Sequence, residues 1–334
     1  MNGPSIDELY GGLTGYQHTA ALKAGIELDL FTAIAEGADA VVALAARCGA
    51  SERGVRSLCD YLTVHGLLTR DGERYALGAT AAAFLDRRQP TYVGSAVSFI
   101  ASPTIVEGFN RLTEAVRRGG SAVPDDGALA PEHPVWVEFA RAMAPLAAMT
   151  SMLVANFLDA NQGMPWRVLD VAAGHGMFGI TLARENPRAE IVALDWANVL
   201  EVARENAVRA GVADRVRLLA GSAFDVDWGT GYDLVLLPNF LHHFDVAACE
   251  RLLARAHAAL APGGRVLIVE FVPDDDRRGP QAAVSFGLVM LAGTPGGDAY
   301  TFHEYEGMLR RAGFAHAVVH DLVPTPQRVI VASR

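Results

Sequence analysis

From residue 165 to the C-terminus, apolar strands alternate with amphipathic helices, and this alternation constrains the fold more than any other feature. Segments such as WRVLDVAA and YDLVLLPNF are separated by helical segments such as ANVLEVARENAVRAG. The pattern predicts an α/β fold, a Rossmann-like doubly wound parallel sheet with helices on both faces, which binds ligands at the carboxyl ends of its strands. Only VPTPQ separates the last two strands, AHAVVHDL and RVIVASR, so we expect an antiparallel pair at one end of the sheet.

The first hundred residues have a mostly helical pattern instead. ALKAGIELDLFTAI places its apolar residues on one helix face, and GVRSLCDYLTVHGLL is followed by a strand pair that turns at Asp71-Gly72. These segments predict a winged helix. Because 334 residues suffice for two cores, we expect a winged-helix domain at 1–100, connecting helices that line a cavity at 101–160, and the α/β domain at 161–334.

Charge and cysteine content narrow the function classes. The formal charge is -10, and residues 1–100 contain eight Lys/Arg against eleven Asp/Glu, which disfavours binding to nucleic acid. We therefore expect the winged helix to pack on another subunit, and a DNA-binding regulator is a remote alternative. The three widely spaced cysteines, the absence of a leader-like N-terminus and the absence of a long apolar run predict a soluble, cytoplasmic protein with no membrane partner.

The segment VLDVAAGHGMFG, residues 168–179, ends a strand in a glycine-rich turn. Its spacing Gly174-x-Gly176-x-x-Gly179 also fits a dinucleotide site, so an NAD-dependent oxidoreductase is one interpretation. Asp170 opposes it, since a carboxylate at the mouth of the turn repels a pyrophosphate but attracts an ammonium or a sulfonium. Asp195 ends the next strand, where it suits the hydroxyls of a ribose in either cofactor.

These residues resemble the first motif of the class I S-adenosylmethionine-dependent methyltransferases, an acid followed by x-G-x-G-x-G, with Ala172 in place of the first glycine. The resemblance implies S-adenosyl-L-methionine as cofactor and S-adenosyl-L-homocysteine as product. It also implies an adenine-contacting segment at residues 221–224, where Ser222 replaces the acid often found in relatives and Phe224 is either an adenine contact or a core residue. The implied cofactor site comprises Asp170, Gly174, Gly176, Asp195, Trp196, Ser222, Ala223, Phe224 and Asn239.

With its winged helix, the whole chain resembles the O-methyltransferase family that includes plant phenylpropanoid, hydroxyindole and bacterial polyketide enzymes. In that family the histidine of an L-H-x-[WF] segment is the general base, which implies this role for His242 in LHHF. The family also places an acid behind the base, here Glu270, which would fix the histidine tautomer. The alternatives are a solvated or capping histidine and a strand-end acid without a catalytic role. His243 is expected to be structural, and no spacing indicates a metal site.

The resemblance further implies an apolar cavity for a flat aromatic acceptor, completed by the winged helix of a second subunit in a homodimer, with Tyr16 or His18 as a contributor. Plant members have a second glutamate where this chain has Ala299, unless Asp298 substitutes for it. The prediction is an O-methyltransferase of hydroxylated aromatic secondary metabolites; C- or N-methylation, or a non-methylating reaction with the same cofactor, are alternatives. The implied acceptor residues are Phe139, Met143, Phe286, Met290 and Tyr300.

Overall fold

The computed structural model describes residues 5–123 and 132–334. The chain forms two compact units, residues Met1–Ser102 and residues Pro103–Arg334. Each has its own hydrophobic core, and the fold class predicted from the sequence is confirmed.

The first unit is a winged-helix fold whose described residues form six α-helices and a two-stranded antiparallel wing. The helix Glu52–Val64 begins after Ser51, whose hydroxyl accepts a hydrogen bond from Gly54 N and so caps the helix. Ile26, Leu30 and Ile34 are buried in the core of this unit. They lie on two helices, Ile6–Glu27 and Leu30–Ala35, and not on the single helix that their spacing predicts, because Asp29 with φ of 55° turns the backbone between them. The elements are α1 (Ile6–Glu27), α2 (Leu30–Ala35), α3 (Val41–Cys48), α4 (Glu52–Val64), β1 (Leu68–Asp71), β2 (Arg74–Leu77), α5 (Ala79–Phe84) and α6 (Val97–Ile100).

The N-terminal half of α1 leaves an apolar face exposed. Its large side chains are between 60% and 74% exposed and recur at helical spacing: Ile6, Leu9, Tyr10, Leu13 and Tyr16. Farther along the helix, the His18 ring packs 4.7 Å from that of His65, which packs 4.3 Å from Tyr61. This exposed face is hereafter called the α1 apolar face, and exposed apolar patches of this kind mark interaction sites.

The second unit begins with three helices, of which α9 is the longest, and continues as alternating strands and helices. The elements are α7 (Pro103–Asn110), α8 (Leu112–Arg118), α9 (Pro134–Phe157), β3 (Arg167–Val171), α10 (Met177–Glu185), β4 (Glu190–Asp195), α11 (Ala197–Arg209), β5 (Val216–Ala220), β6 (Tyr232–Pro238), α12 (Val246–Ala259), β7 (Leu260–Glu270), α13 (Gln281–Gly293), α14 (Phe302–Arg311), β8 (His316–Asp321) and β9 (Arg328–Ser333).

These strands form one seven-stranded sheet in the order β5-β4-β3-β6-β7-β9-β8. Strands β3 to β7 are parallel, whereas β9 runs antiparallel to both β7 and β8, as expected for the terminal pair. The chain passes from β3 to β4 on one side and from β6 to β7 on the other. The topological switch point therefore lies between β3 and β6, whose carboxyl ends flank the crevice where such sheets bind ligands.

The central strands are continuously apolar because helices cover both sheet faces. Val168 and Leu234 belong to the core on one face, whereas the next residues, Leu169 and Val235, belong to the core on the other. This alternation fixes which residues at the strand ends face the crevice.

Helix α9 corrects one sequence-based expectation. By length and composition alone it could cross a membrane, although no segment was expected to be long and apolar enough. Its Val154 and Ala155 are buried in the same core as residues of α10, while 28% of its apolar window as a whole is buried.

Candidate active site

A glycine turn connects β3 to α10 at the switch point. Gly174 and Gly176 have φ angles of 57° and 73°, a left-handed conformation that glycine adopts without steric cost. A Cβ on Gly176 would lie 2.9 Å from Ile180 Cδ1, and one on Gly179 would lie 2.6 Å from Ile191 Cγ2. A Cβ on Gly174 would meet only a carbonyl oxygen at 3.9 Å, so the turn leaves open space at this position.

His175 lies between the two glycines and stabilises the turn. Its Nδ1 accepts a hydrogen bond from Met177 N, and its carbonyl accepts one from Asn206 Nδ2. Burial lowers the pKa of His175 to about 4, so the imidazole is neutral at physiological pH. It does not contribute positive charge to the turn.

Asp170, near the end of β3, is fully buried beneath the glycine turn. Its Oδ2 accepts a hydrogen bond from Gly179 N at 2.9 Å, whereas Oδ1 has no hydrogen-bond partner among the described residues. Burial is the main cause that raises the pKa of this carboxyl to about 7, and the like charge of Asp195 contributes to the same shift. A buried acceptor with no partner is costly, and a cationic ligand would relieve that cost.

Asp195, at the end of β4, braces the opposite side of the turn. Its Oδ2 accepts a hydrogen bond from Gly174 N at 2.8 Å, and its Oδ1 accepts one from Trp196 N at 2.7 Å. Each carboxylate oxygen retains a second lone pair for a ligand hydroxyl. Burial raises the pKa of Asp195 to about 6. The Trp196 side chain packs with Val137 of α9 in a small apolar cluster.

The predicted adenine segment follows β5. Ser222 Oγ accepts a hydrogen bond from Phe224 N, and Ala223 is buried in the core. The Phe224 ring is half-buried and meets Phe244 edge-on at 5.1 Å. Arg255 donates to the carbonyl of Phe224 and thereby fixes the turn, a role for which the sequence offered no local signal.

Two residues other than glycine adopt the left-handed conformation at the carboxyl ends of the two switch-point strands. Ala172 follows β3 with φ of 53°, and Asn239 follows β6 with φ of 52°. This conformation costs an alanine about 1 to 2 kcal/mol, while asparagine adopts it more readily because its side chain can hydrogen-bond locally. Backbone strain of this kind is concentrated at functional sites.

His242 lies in a single 3-10 turn, Leu241–His243, just beyond β6, and it is buried. Its Nδ1 is 2.6 Å from Oε2 of Glu270, the last residue of β7. The other carboxylate oxygen of Glu270 accepts hydrogen bonds from Phe240 N at 2.9 Å and from His242 N at 3.4 Å. Adjacent parallel strands thus bring the two residues together, and Glu270 is held at both oxygens.

Aromatic rings flank His242. Phe286 of α13 meets its imidazole edge-on with ring centroids 4.8 Å apart, and Phe286 stacks on Phe271 at 4.2 Å. On the other side His243 packs on Trp136, which packs on Phe139. Burial and the neighbouring His242 lower the pKa of His243 well below its usual value.

The remaining predicted acceptor residues occupy varied environments. Met143 is partly exposed on α9, Met290 is buried on α13, and Tyr300 is buried with its hydroxyl donating to the carbonyl of Phe244. Ala299 is buried and carries no acid, while the carboxylate of Asp298 pairs with Arg277 and accepts a hydrogen bond from Ala299 N. The carboxylate that contacts His242 is therefore Glu270.

A cavity of about 480 Å³ lies on a different face of α13 from Phe286, since Leu288 and Leu291 line it. Asp245, Gly297 and Tyr300 form other parts of its wall. A Cβ on Gly297 would lie within 2.8 Å of the backbone of His243, so only glycine allows this loop to pack on the base segment.

Within residues 5–123 and 132–334, no group of three or more His, Cys, Asp or Glu side chains is arranged to hold a metal ion. Sequence reasoning missed Trp136, although the aromatic-rich α9 segment offered a signal. It also missed Gln327, whose Nε2 donates a hydrogen bond to Asn239 Oδ1 and for which no local pattern exists.

Comparison with known proteins agrees with this geometry. Residues 131–315 match the O-methyltransferase domain, and residues 12–87 match the O-methyltransferase dimerisation domain. The chain is 35% identical over 308 residues to 3-hydroxy-5-methyl-1-naphthoate 3-O-methyltransferase of Streptomyces sahachiroi, covering 90% of this chain and 87% of that protein.

Solved structures similar to this chain also include methyltransferases. A candidate O-methyltransferase from Nostoc punctiforme is 52% identical, with a TM-score of 0.94 and full coverage of both chains. Human N-acetylserotonin methyltransferase in complex with S-adenosylmethionine is 25% identical, with a TM-score of 0.86 and coverage of 100% of this chain and 98% of that one. The dinucleotide interpretation of the glycine turn is thereby set aside. The chain belongs to the O-methyltransferase family that has an N-terminal dimerisation domain, and it is an S-adenosylmethionine-dependent O-methyltransferase.

Proposed function

We propose that the enzyme methylates a hydroxyl group of a flat aromatic secondary metabolite, with His242 as the general base. The observation that carries this proposal is the 2.6 Å contact between His242 Nδ1 and Glu270 Oε2, next to the Phe286 ring. A phenol must lose its proton as its oxygen attacks the methyl group, and a general base at this position meets that need. We therefore favour a hydroxyl oxygen over carbon or nitrogen as the acceptor atom.

The His242–Glu270 pair is suited to removing the proton of the acceptor hydroxyl. With Glu270 ionised, it accepts the Nδ1–H hydrogen bond, which leaves Nε2 as the ring nitrogen with a free lone pair. A phenol has a pKa of about 10, and a positioned general base accelerates its reaction by about 10² to 10⁴-fold. The carboxylate would then stabilise the imidazolium that forms.

Residues around the switch point would hold the cofactor, whose sulfonium supplies an electrophilic methyl group. We assign the amino-acid end to Asp170, because its Oδ1, which no described residue contacts by a hydrogen bond, suits an ammonium donor. Gly174 and Gly176 give the cofactor room, Asp195 accepts from the ribose, and Ser222, Ala223 and Phe224 contact the adenine. Trp196 and Asn239 complete the cofactor site that we propose.

The proposed acceptor site uses the rings beside the base. Phe286 and Met290 approach from α13, Phe139 and Met143 from α9, and Tyr300 from the loop between α13 and α14. A planar ring held among aromatic side chains presents its hydroxyl in one orientation, and such positioning contributes about 7 to 11 kcal/mol to lowering a barrier. The naphthoate and N-acetylserotonin relatives support an aromatic acceptor through their names.

We further propose that the enzyme is a homodimer through residues 1–100, where the α1 apolar face and the dimerisation match both lie. A second subunit would complete the acceptor cavity, with Tyr16 or His18 as a contributor. Residues 101–160 are assigned to lining the cavity and residues 161–334 to binding the cofactor. Three free cysteines support a cytoplasmic enzyme, and no nucleic acid or membrane partner is proposed.

The test combines S-adenosylmethionine with a panel of phenols, naphthols and hydroxyindoles and detects products heavier by one methyl group. With an active acceptor, His242→Gln is expected to lower kcat by about 10² to 10⁴-fold without weakening binding of S-adenosylhomocysteine. His243→Gln is the matched control, as the adjacent histidine is not assigned to proton transfer. Full activity of His242→Gln would remove the base assignment.

A further inference from the structure

A chain of side-chain hydrogen bonds connects α9 to the turn that carries the base. Thr150 of α9, which is buried, donates from Oγ1 to Gln327 Oε1 at 2.9 Å. Gln327, the residue before β9, donates from Nε2 to Asn239 Oδ1 at 3.0 Å. The Thr150 hydroxyl can donate only to the oxygen of the Gln327 carboxamide, whose nitrogen then donates to the oxygen of Asn239. These hydrogen bonds fix the orientation of the Gln327 and Asn239 carboxamides.

Asn239 lies at the point where the backbone turns toward Glu270. Its φ of 52° is left-handed, and its N donates to Val269 O at 2.8 Å. The next residue, Phe240, donates its N–H to Glu270 Oε1. The direction of that N–H therefore depends on the conformation of Asn239.

We propose that Gln327 is a positioning residue for the catalytic base. By holding the Asn239 carboxamide, it maintains the left-handed turn that directs Phe240 N to Glu270 Oε1. Glu270 is thereby oriented so that Oε2 contacts His242 Nδ1. The inference rests on the proposed role of His242, because it describes how that histidine is aligned.

The linkage spans distant parts of the chain, so no local motif contains it. Gln327 is 88 residues from Asn239 and 177 residues from Thr150. Strand β9 pairs with β7, and Val269 of β7, which lies opposite Val329, also accepts the hydrogen bond from Asn239 N. The terminal strand pair thus carries Gln327 to the carboxyl end of β6.

The test is Gln327→Met in the full-length enzyme, since methionine has a similar size and makes neither hydrogen bond. We expect kcat to fall on the order of tenfold, as small misplacements of catalytic groups do, with a smaller rise in Kd for S-adenosylhomocysteine, because the released Asn239 carboxamide also belongs to the proposed cofactor site. The low-field proton resonance expected of a short Nδ1–H hydrogen bond, assigned by its loss in His242→Gln, should weaken or broaden. A residue that serves only stability would move neither kcat nor this resonance.

Two variants separate the proposed pathway from general damage to the loop. Thr325→Val changes the same β8–β9 connection, where Thr325 Oγ1 donates to Leu322 O, and it should leave kcat unchanged. Thr150→Val removes only the far end of the chain and should lower kcat less than Gln327→Met, in the same direction. If Gln327→Met does not fold, Thr150→Val replaces it as the variant that tests the inference.

A double-mutant cycle with Asn239→Gly decides whether Gln327 acts through Asn239. Glycine adopts the left-handed turn without support, so Gln327→Met should have no further effect on kcat in that background. An equal loss in both backgrounds, or a kcat for Gln327→Met within twofold of the unaltered enzyme, would overturn the inference. If instead His242 is not the general base, His242→Gln would retain activity, and this outcome is distinct from those of the Gln327 variants.

Discussion

The imidazole of His242 and the carboxylate of Glu270 meet at 2.6 Å although they lie 28 residues apart, at the ends of two adjacent parallel strands. Both side chains are almost completely buried, and Glu270 is held in addition by two backbone N–H groups. A carboxylate constrained in this way fixes the rotation and the tautomer of its histidine partner.

Glu270→Gln should therefore lower kcat by about 10² to 10⁴-fold. The Oε1 of glutamine can still accept from Phe240 N, but its amide group then donates toward Nδ1. The proton of the neutral imidazole is forced onto Nε2, where it blocks acceptance of the substrate proton. Steady-state kinetics with a saturating phenol measures this loss.

Asp298→Asn is the matched control, because Asp298 is a carboxylate on the neighbouring loop that pairs with Arg277 instead. It should leave kcat within about threefold of the unaltered enzyme, a change of less than 1 kcal/mol in the barrier. A loss as large as that of Glu270→Gln would show that Asp298 substitutes for the second acid of plant members.

Binding of the cofactor should release a proton from Asp170. Burial raises the pKa of this carboxyl to about 7, and an ammonium beside Oδ1 favours the ionised form, so the pKa falls on binding. Affinity for S-adenosylhomocysteine should consequently rise as pH increases through 7. Calorimetry near pH 6.5 in buffers of different ionisation enthalpy measures the released proton.

Asp170→Asn should remove most of the proton release. Asp195→Asn should weaken binding of the cofactor but keep most of the release, since a ribose hydroxyl carries no charge and lowers a carboxyl pKa less than an ammonium does. Proton release that persists undiminished in Asp170→Asn would assign the titrating group elsewhere. The same raised pKa gives folding stability the opposite pH dependence from cofactor affinity. A folded-state pKa raised above 3.8 favours the folded protein at low pH, so this contribution is lost as pH rises toward 7.

Ala172→Gly should stabilise the protein. Alanine with φ of 53° carries a steric cost of about 1 to 2 kcal/mol, which glycine avoids, although glycine gains about 0.4 to 1 kcal/mol of unfolded-state entropy. The net gain in the free energy of unfolding is expected to be up to about 1.6 kcal/mol, measured by urea denaturation. Ala172→Val, which adds a branched side chain in the same conformation, should be destabilising; a stabilised valine variant would contradict the strain argument.

Disruption of the α1 apolar face should dissociate the homodimer. Leu9 and Leu13 are 60% and 68% exposed in one chain, and burial of such a side chain stabilises an interface by about 1.5 to 3 kcal/mol. The double substitution Leu9→Glu, Leu13→Glu places two charges there and should yield monomers by light scattering. Val208→Glu, at a 60% exposed position of α11, is the control that should remain dimeric.

The sequence by itself determined the local architecture of the methyltransferase. Strands and helices are recognised from the periodicity of apolar residues, because that periodicity reflects which face of each element is buried. The glycine turn with Asp170, and the acid at the end of β4, follow from the same local rules. The resemblance carried by these motifs also implied that Glu270 belongs with His242.

Only the tertiary structure decided what the strand order brings together. Because β3 lies next to β6, the left-handed residues Ala172 and Asn239 end the two strands of the switch point. Because β9 inserts between β7 and β8, Gln327 reaches Asn239. Spacing along a chain encodes contacts within a helix, a strand or a turn, whereas these contacts depend on how separate strands pair, which is set by burial across the whole sheet.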